Sequence, residues 1–70
     1  MDNVSIVLKS AGYNKISVIK EMNNTLKIGL SDCCKYAETN NSIIKTKLNY
    51  KESLEFIVRI KLLGGNAEII

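Results

Sequence analysis

The chain has 70 residues, of which 46% are hydrophobic and 24% charged, a composition typical of one small ordered domain and not of a disordered chain. Its formal net charge of +3 comes from basic residues that are scattered along the sequence, so we expect no direct nucleic-acid partner. There is no histidine, and the only two cysteines are adjacent, which argues against a metal site, a disulfide framework and histidine-based catalysis.

Targeting and catalytic signals are also missing from the sequence. No segment is long and apolar enough to span a membrane, and the first residues lack the basic start and apolar run of a signal peptide. We therefore expect a cytoplasmic protein with no membrane partner. No sequence motif marks a pair of catalytic carboxylates, an activated lysine or an activated cysteine. We therefore expect the protein not to be an enzyme and to need no cofactor.

The N-terminal part of the chain predicts a strand followed by a helix. Apolar and polar residues alternate over residues 4–9, the pattern of a strand with one buried face. Gly12 separates this strand from a first helix, for which Asn14 is the candidate N-cap. The helix carries an apolar stripe at three- and four-residue spacing that ends before Asn23 and Asn24, formed by Ile16, Val18, Ile19 and Met22.

A second helix and a second strand follow. Ser31 is the candidate N-cap of this helix, and Asp32 lies in its first turn. Its apolar positions again have helical spacing, and they are Leu30, Cys33, Cys34 and Ala37. The β-branched run over residues 42–48 then predicts the second strand.

The C-terminal third predicts the longest helix and a last strand. Asn49 and Glu52 have the spacing of a capping box, so we expect the helix to begin there and to cover residues 50–63. The glycine pair at 64–65 ends it. Residues 66–70 form a short final strand.

The order β-α-α-β-α-β predicts an α+β two-layer sandwich, in which three helices cover one face of a three-stranded sheet. The helix between the second and third strands makes those two strands parallel, with one strand between them. If the first strand fills that gap, it is central and antiparallel to both neighbours, which gives the order 2-1-3. We expect residues 1–70 to form a single domain.

Three motifs resemble the C-terminal domain of the bacterial ribosomal stalk protein family. They are VLKSAGYNKISVIK at residues 7–20, GL at residues 29–30 and GGNAEI at residues 64–69. The resemblance covers nearly the whole chain and implies the fold predicted above. A Clp protease adaptor has a related fold, but its motif is not found here.

The resemblance implies a protein-binding module. In the family, several copies hang from the ribosome on flexible hinges and recruit translational GTPases such as elongation factors. The family's contact surface lies on the first two helices, and the matching positions here are Lys15, Ile16, Ile19, Lys20, Asn23, Gly29 and Leu30. The lysines would attract an acidic partner, and the two isoleucines would be buried at the centre of the contact. Without the resemblance, Lys15 and Lys20 would be ordinary solvated lysines, and Ile16 and Ile19 core residues.

The chain departs from the family at two positions of that surface. An arginine late in the family's first helix corresponds to Asn23, and a lysine in its second helix corresponds to Cys34. Domains of the family are usually acidic, whereas this chain carries +3. The resemblance also implies that Cys33 is buried and that Cys34 lies nearer the surface.

The family's N-terminal dimerisation segment and hinge have no counterpart in these residues. We therefore expect either a domain cut from a longer stalk protein or a stand-alone paralogue. The alternative function is a free-standing protein-interaction or oligomerisation module that has kept the fold and lost the ribosomal role.

The third helix departs from the family on its outer face. The resemblance implies an inward face formed by Ser53, Phe56, Ile60 and Leu63. The opposite face is charged in the family but is mostly apolar here, and a domain of this size has no second layer to cover it. We expect this face to contact a second copy or another protein, with self-association favoured, through Leu54, Ile57, Val58 and Leu62. Alternatively, the helix is rolled so that several of these residues enter the core.

Overall fold

The computed structural model describes residues 4–70, so the first three residues of the expected domain lie outside the described part. The fold class and the element order are confirmed. The elements are β1 (Ser5–Ser10), α1 (Lys15–Leu26), α2 (Leu30–Glu38), β2 (Ser42–Lys45), α3 (Tyr50–Leu62) and β3 (Asn66–Ile69).

The sheet has the predicted order β2-β1-β3, with β1 antiparallel to both neighbours. Ile6 of β1 lies opposite Ile44 of β2 and Ile69 of β3. Because side chains alternate across a strand, these register partners point to the same face of the sheet. That face is buried beneath the helices.

The core lies between the inner face of the sheet and the three helices, and it includes a residue from every element. Phe56 is the largest fully buried side chain, and it lies on α3. The buried hydrophobic residues are Ile6, Leu8, Ala11, Val18, Met22, Cys33, Ala37, Ile44, Phe56, Ile57, Ile60 and Ala67.

The outer face of the sheet carries an ion pair between its central strand and an edge strand. Lys9 of β1 pairs with Glu68 of β3, and both side chains are about half exposed. The hydrogen bond from Lys9 and the charge of its ammonium group lower the pKa of Glu68. An exposed pair of this kind contributes little to stability.

The first helix is longer than its apolar stripe predicts, because α1 continues past Asn23 and Asn24 to Leu26. Leu26 packs against the core, and the side-chain amide of Asn23 donates a hydrogen bond to the Ile28 carbonyl. The Leu26 contact is tertiary, and the Asn23 hydrogen bond reaches a residue beyond the end of α1. Together they outweigh the low helix propensity of Asn23 and Asn24. Asn14 holds the N-cap position, but its side chain makes no capping hydrogen bond.

The predicted cap of the second helix is wrong by two residues. Gly29 occupies the N-cap position with an extended backbone, and Ser31 lies in the first helical turn. The N–H of Cys33 donates a hydrogen bond to the Gly29 carbonyl at 3.0 Å. This bond closes the first turn of α2 two residues earlier than a cap at Ser31 would. At the third helix the capping box is confirmed, since Asn49 and Glu52 each accept a hydrogen bond from the other's backbone N–H.

Candidate protein-binding surface

The helical hairpin formed by α1 and α2 is held by a three-residue link, residues 27–29. Lys27 ends α1 in the left-handed conformation (φ 59°), and Gly29 is extended. Ile28, between them, is partly buried against the core. The two helices pack against each other, so their exposed faces form one surface.

Along α1, burial separates two sides of the helix. Val18 and Met22 are fully buried. Ile16 and Lys20 lie on the other side, where the Ile16 side chain is 70% exposed, and Lys15 is exposed as the first residue of the helix. The helix therefore places an uncovered isoleucine near two cations.

The second isoleucine and the start of α2 complete this surface. Ile19 is half-buried and packs against the core, so only part of its side chain is available. Leu30, the first residue of α2, is 59% exposed. Gly29 is exposed, and a Cβ atom added there would meet no atom within 4 Å. The predicted residues Ile16, Leu30 and Gly29 thus all face outward.

Asn23 differs from the other predicted site residues. Its Nδ2 donates to the Ile28 carbonyl at 2.7 Å, and the bond is part-buried. The Cys33 thiol lies 3.7 Å from the same carbonyl oxygen. Asn23 therefore ties the end of α1 to the link, and its side chain is engaged inside the domain.

The charges of the surface are those of its lysines. Ion pairs within residues 4–70 join Lys9 to Glu68 and Arg59 to Glu21. Neither pair includes Lys15 or Lys20, so in the described part of the chain these two ammonium groups are free to face an acidic partner.

The two adjacent cysteines have different environments, as the resemblance implies. Cys33 is buried and Cys34 is exposed. Burial raises the pKa of the Cys33 thiol, and the neighbouring Cys34 and Asp32 raise it further. Cys33 is therefore a core residue with an unreactive thiol.

On α3, three of the four residues expected on the outer face are exposed, and the fourth expectation is wrong. Leu54, Val58 and Leu62 are exposed, whereas Ile57 is only 7% exposed. Ile57 directly follows the buried Phe56, at the edge of the inward face of α3. The helix is rolled enough that the Ile57 side chain is buried as well. The alternative reading of a rolled helix thus holds for this one residue.

Sequence reasoning missed Tyr13, which is 90% exposed and directly precedes the N-cap of α1. Its ring lies over Gly64, where an added Cβ would be 2.6 Å from the Tyr13 Cε1 atom. The Tyr13 side chain thus lies beside the turn that follows α3, next to the N-terminal end of α1. The signal available in the sequence was a large aromatic residue between a glycine and a helix cap.

The fold and this surface define a class of protein: a small α+β domain that presents an exposed helical hairpin. Residues 4–70 match the family described as "Ribosomal protein L7/L12 C-terminal domain", and the chain belongs to that family. Within the same residues, no helix is long and apolar enough to cross a membrane.

The chain is similar to several proteins named "Large ribosomal subunit protein bL12". The protein of Mesomycoplasma hyopneumoniae (strain 7448) is 32% identical over 66 residues, which are 94% of this chain and 53% of the relative. That of Pelagibacter ubique is 31% identical over 68 residues, 97% of this chain and 56% of the relative. The protein of Metamycoplasma arthritidis is 35% identical over 65 residues, which are 93% of this chain and 51% of the relative. The chain thus spans about half the length of the curated relatives it matches.

Proposed function

We propose that this domain is a cytoplasmic ribosomal-stalk module that recruits translational GTPases through α1 and the start of α2. The observation that carries the proposal is the Ile16 side chain, 70% exposed and near two exposed lysines in a domain of a ribosomal protein family. An apolar centre surrounded by charge is the usual arrangement of a protein-binding surface.

Each part of this surface has a separate role in the proposed contact. Lys15 and Lys20 attract an acidic partner over several ångströms and mainly raise the association rate. Ile16 and Leu30, once covered, contribute the apolar area that slows dissociation. Because Gly29 is exposed and has no side chain, a partner can approach the backbone at the start of α2 closely.

The contact should be weak and dependent on salt. The surface is small, and its lysines are exposed, so the screening length of about 10 Å at 0.1 M salt largely removes their long-range attraction. Such a contact exchanges quickly, which suits a module that must capture and release successive factors.

The test is a titration of a fluorescently labelled elongation factor with wild type and with Lys15→Glu/Lys20→Glu. The matched control is Lys45→Glu/Lys47→Glu, which makes the same charge change at two exposed positions near β2. We expect the first variant to bind the factor at least about tenfold more weakly than wild type, corresponding to about 1.4 kcal/mol. The affinity of the control variant should stay closer to that of wild type. Equal losses in both variants, or no binding by wild type, would contradict the proposal.

A free-standing interaction module is the second candidate, and one observation favours it. The two positions where the family carries cations hold Asn23, whose amide is bonded to the Ile28 carbonyl, and the uncharged Cys34. The hairpin surface therefore has fewer cations than the resemblance implies. Wild type that is folded but binds no translational GTPase would support this second candidate.

A further inference from the structure

The outer face of α3 carries a ridge of three apolar side chains at four-residue spacing. Leu54, Val58 and Leu62 are 42%, 56% and 80% exposed. The helix packs on β3 and α1 through its other side. Within residues 4–70 nothing covers the ridge, and its apolar area remains in water.

A shallow groove runs beside the ridge and has charged residues on its far side. It is lined by Leu54, Glu55, Val58 and Arg59. Rows of side chains four residues apart and the grooves between them are the parts by which two helices pack, at a crossing angle of about −50°. Since α3 presents both a ridge and a groove, it is complementary to a second α3.

We propose that two copies of this chain associate through α3, antiparallel to each other and related by a two-fold axis near Val58. The ridge of each copy then lies in the groove of the other, with Leu54 near Leu62 of the second copy. An interface of this type is closed, because the same patch is used by both copies. This proposal does not depend on the proposed function of α1 and α2.

The charges of α3 fit the antiparallel arrangement. With the centre near Val58, Glu55 of each copy lies beside Arg59 of the other, which gives two equivalent ion pairs. The Arg59 Nε already holds Glu21 of its own copy at 2.8 Å, so the guanidinium is oriented and its remaining N–H groups can donate to the second copy.

A lysine at the start of the ridge fits the same arrangement. Lys51 precedes Val58 by seven residues and shares its side of α3. In the antiparallel pair it reaches the C-terminal end of the other α3, close to Gly64 and Gly65. The last carbonyl groups of a helix attract a cation at that place.

The interface is small, so the association should be weak. Specific interfaces bury at least roughly 1,000 Å² in total, and here the apolar part comes from only three partly exposed side chains of each copy. The net charge of +3 per copy opposes association, and salt screens this repulsion. Salt also weakens the two Glu55–Arg59 pairs, so these effects oppose each other, and added salt should change the self-association less than it changes binding by the α1 surface.

Sedimentation velocity over a range of protein concentrations and at two salt concentrations tests the proposal. Wild type should shift from 7.8 kDa towards twice that mass as concentration rises. Val58→Glu should raise the dissociation constant about tenfold or more. The matched control is Ile43→Glu, which places the same carboxylate at a 63% exposed position of β2 on the outer face of the sheet, and this variant should associate as wild type does.

A charge exchange tests the antiparallel arrangement and uses exposed residues only. Glu55→Arg alone should weaken association, and so should Arg59→Glu alone, because each puts like charges together across the interface. An equimolar mixture of the two variants should form a mixed dimer in which both pairs are again opposite in charge. Wild type that stays monomeric at every concentration, Val58→Glu that associates like wild type, or a mixture that remains monomeric would overturn the proposal.

Discussion

Gly12 packs directly against the backbone of Gly64, which joins the link between β1 and α1 to the turn after α3. Both glycines have a positive φ, 75° and 94°, and a Cβ atom at Gly12 would overlap the Gly64 carbonyl group. At Gly12 the backbone needs a positive φ and has no room for a Cβ atom, and only glycine meets both requirements at low cost. The β1–α1 link and the turn after α3 are thus held together by a contact between main-chain atoms.

Replacing Gly12 by alanine should lower the free energy of unfolding by about 2–4 kcal/mol, because the change combines a disfavoured φ with a clash against backbone. Urea denaturation measures this loss. Gly29→Ala is the matched control, since the space around Gly29 is open and its φ is −64°; its cost should stay below about 1 kcal/mol. Equal losses at the two glycines would show that the Gly12 contact has no special importance.

Ser53 is fully buried on the inward face of α3, and its hydroxyl has no hydrogen-bond partner among the described residues. Removing a buried hydroxyl of this kind relieves its desolvation cost, so Ser53→Ala should be neutral or should stabilise the domain by up to about 1 kcal/mol. Thermal unfolding measures the change.

The matched control for that prediction is Ser42→Ala. The Ser42 hydroxyl donates to the Thr39 carbonyl at 2.8 Å, so its removal leaves a carbonyl without its donor and should cost about 1 kcal/mol. A large loss at Ser53, similar to that at Ser42, would mean that the Ser53 hydroxyl has a partner after all.

The two thiols should react at very different rates with a water-soluble disulfide reagent. Cys34 is exposed and should be modified quickly, whereas Cys33 is buried and should react only when the domain unfolds. Mass spectrometry of the time course counts the modified thiols. Two fast modifications would show that α2 is rotated from the position described here.

Burial of Cys33 also predicts a loss of stability at alkaline pH. Its pKa is raised by burial above the ordinary value of 9.0, so at high pH the unfolded chain releases a proton that the folded domain retains. The stability linked to the protonated Cys33 thiol is fully present below pH 9.0. It is lost as the pH rises from there through the higher pKa of the folded state. Cys33→Ala should show a smaller decline over this range when unfolding is followed at several pH values.

Much of the fold could be predicted because the local signals agree with the tertiary structure. The capping box of Asn49 and Glu52 fixes the start of α3, and the alternation in β1 gives its buried face. The end of α1 could not be predicted, since Leu26 and the Asn23 side chain are held by contacts with the core and the link. Those contacts have no signature in a local pattern.

The candidate site was predictable only in part, for a similar reason. Periodicity marks Ile16, Ile19, Val18 and Met22 as one apolar set, but it does not state which of them the sheet covers. That choice depends on how the helix is rolled, and the same uncertainty misplaced Ile57 on α3. The resemblance places Asn23 on the contact surface, whereas its hydrogen bond to the Ile28 carbonyl depends on the fold and has no signature in the sequence.

A nuclear magnetic resonance titration of the ¹⁵N-labelled domain with unlabelled elongation factor at low salt locates the recruiting surface residue by residue. If α1 and the start of α2 form the recruiting surface, their backbone signals should shift or broaden, with the largest changes at Ile16 and Leu30. Signals of the outer face of the sheet, such as Ile43 and Glu68, should stay in place. Changes centred on α3, or no changes while the domain remains folded, would contradict the claim that the α1 and α2 surface recruits translational GTPases.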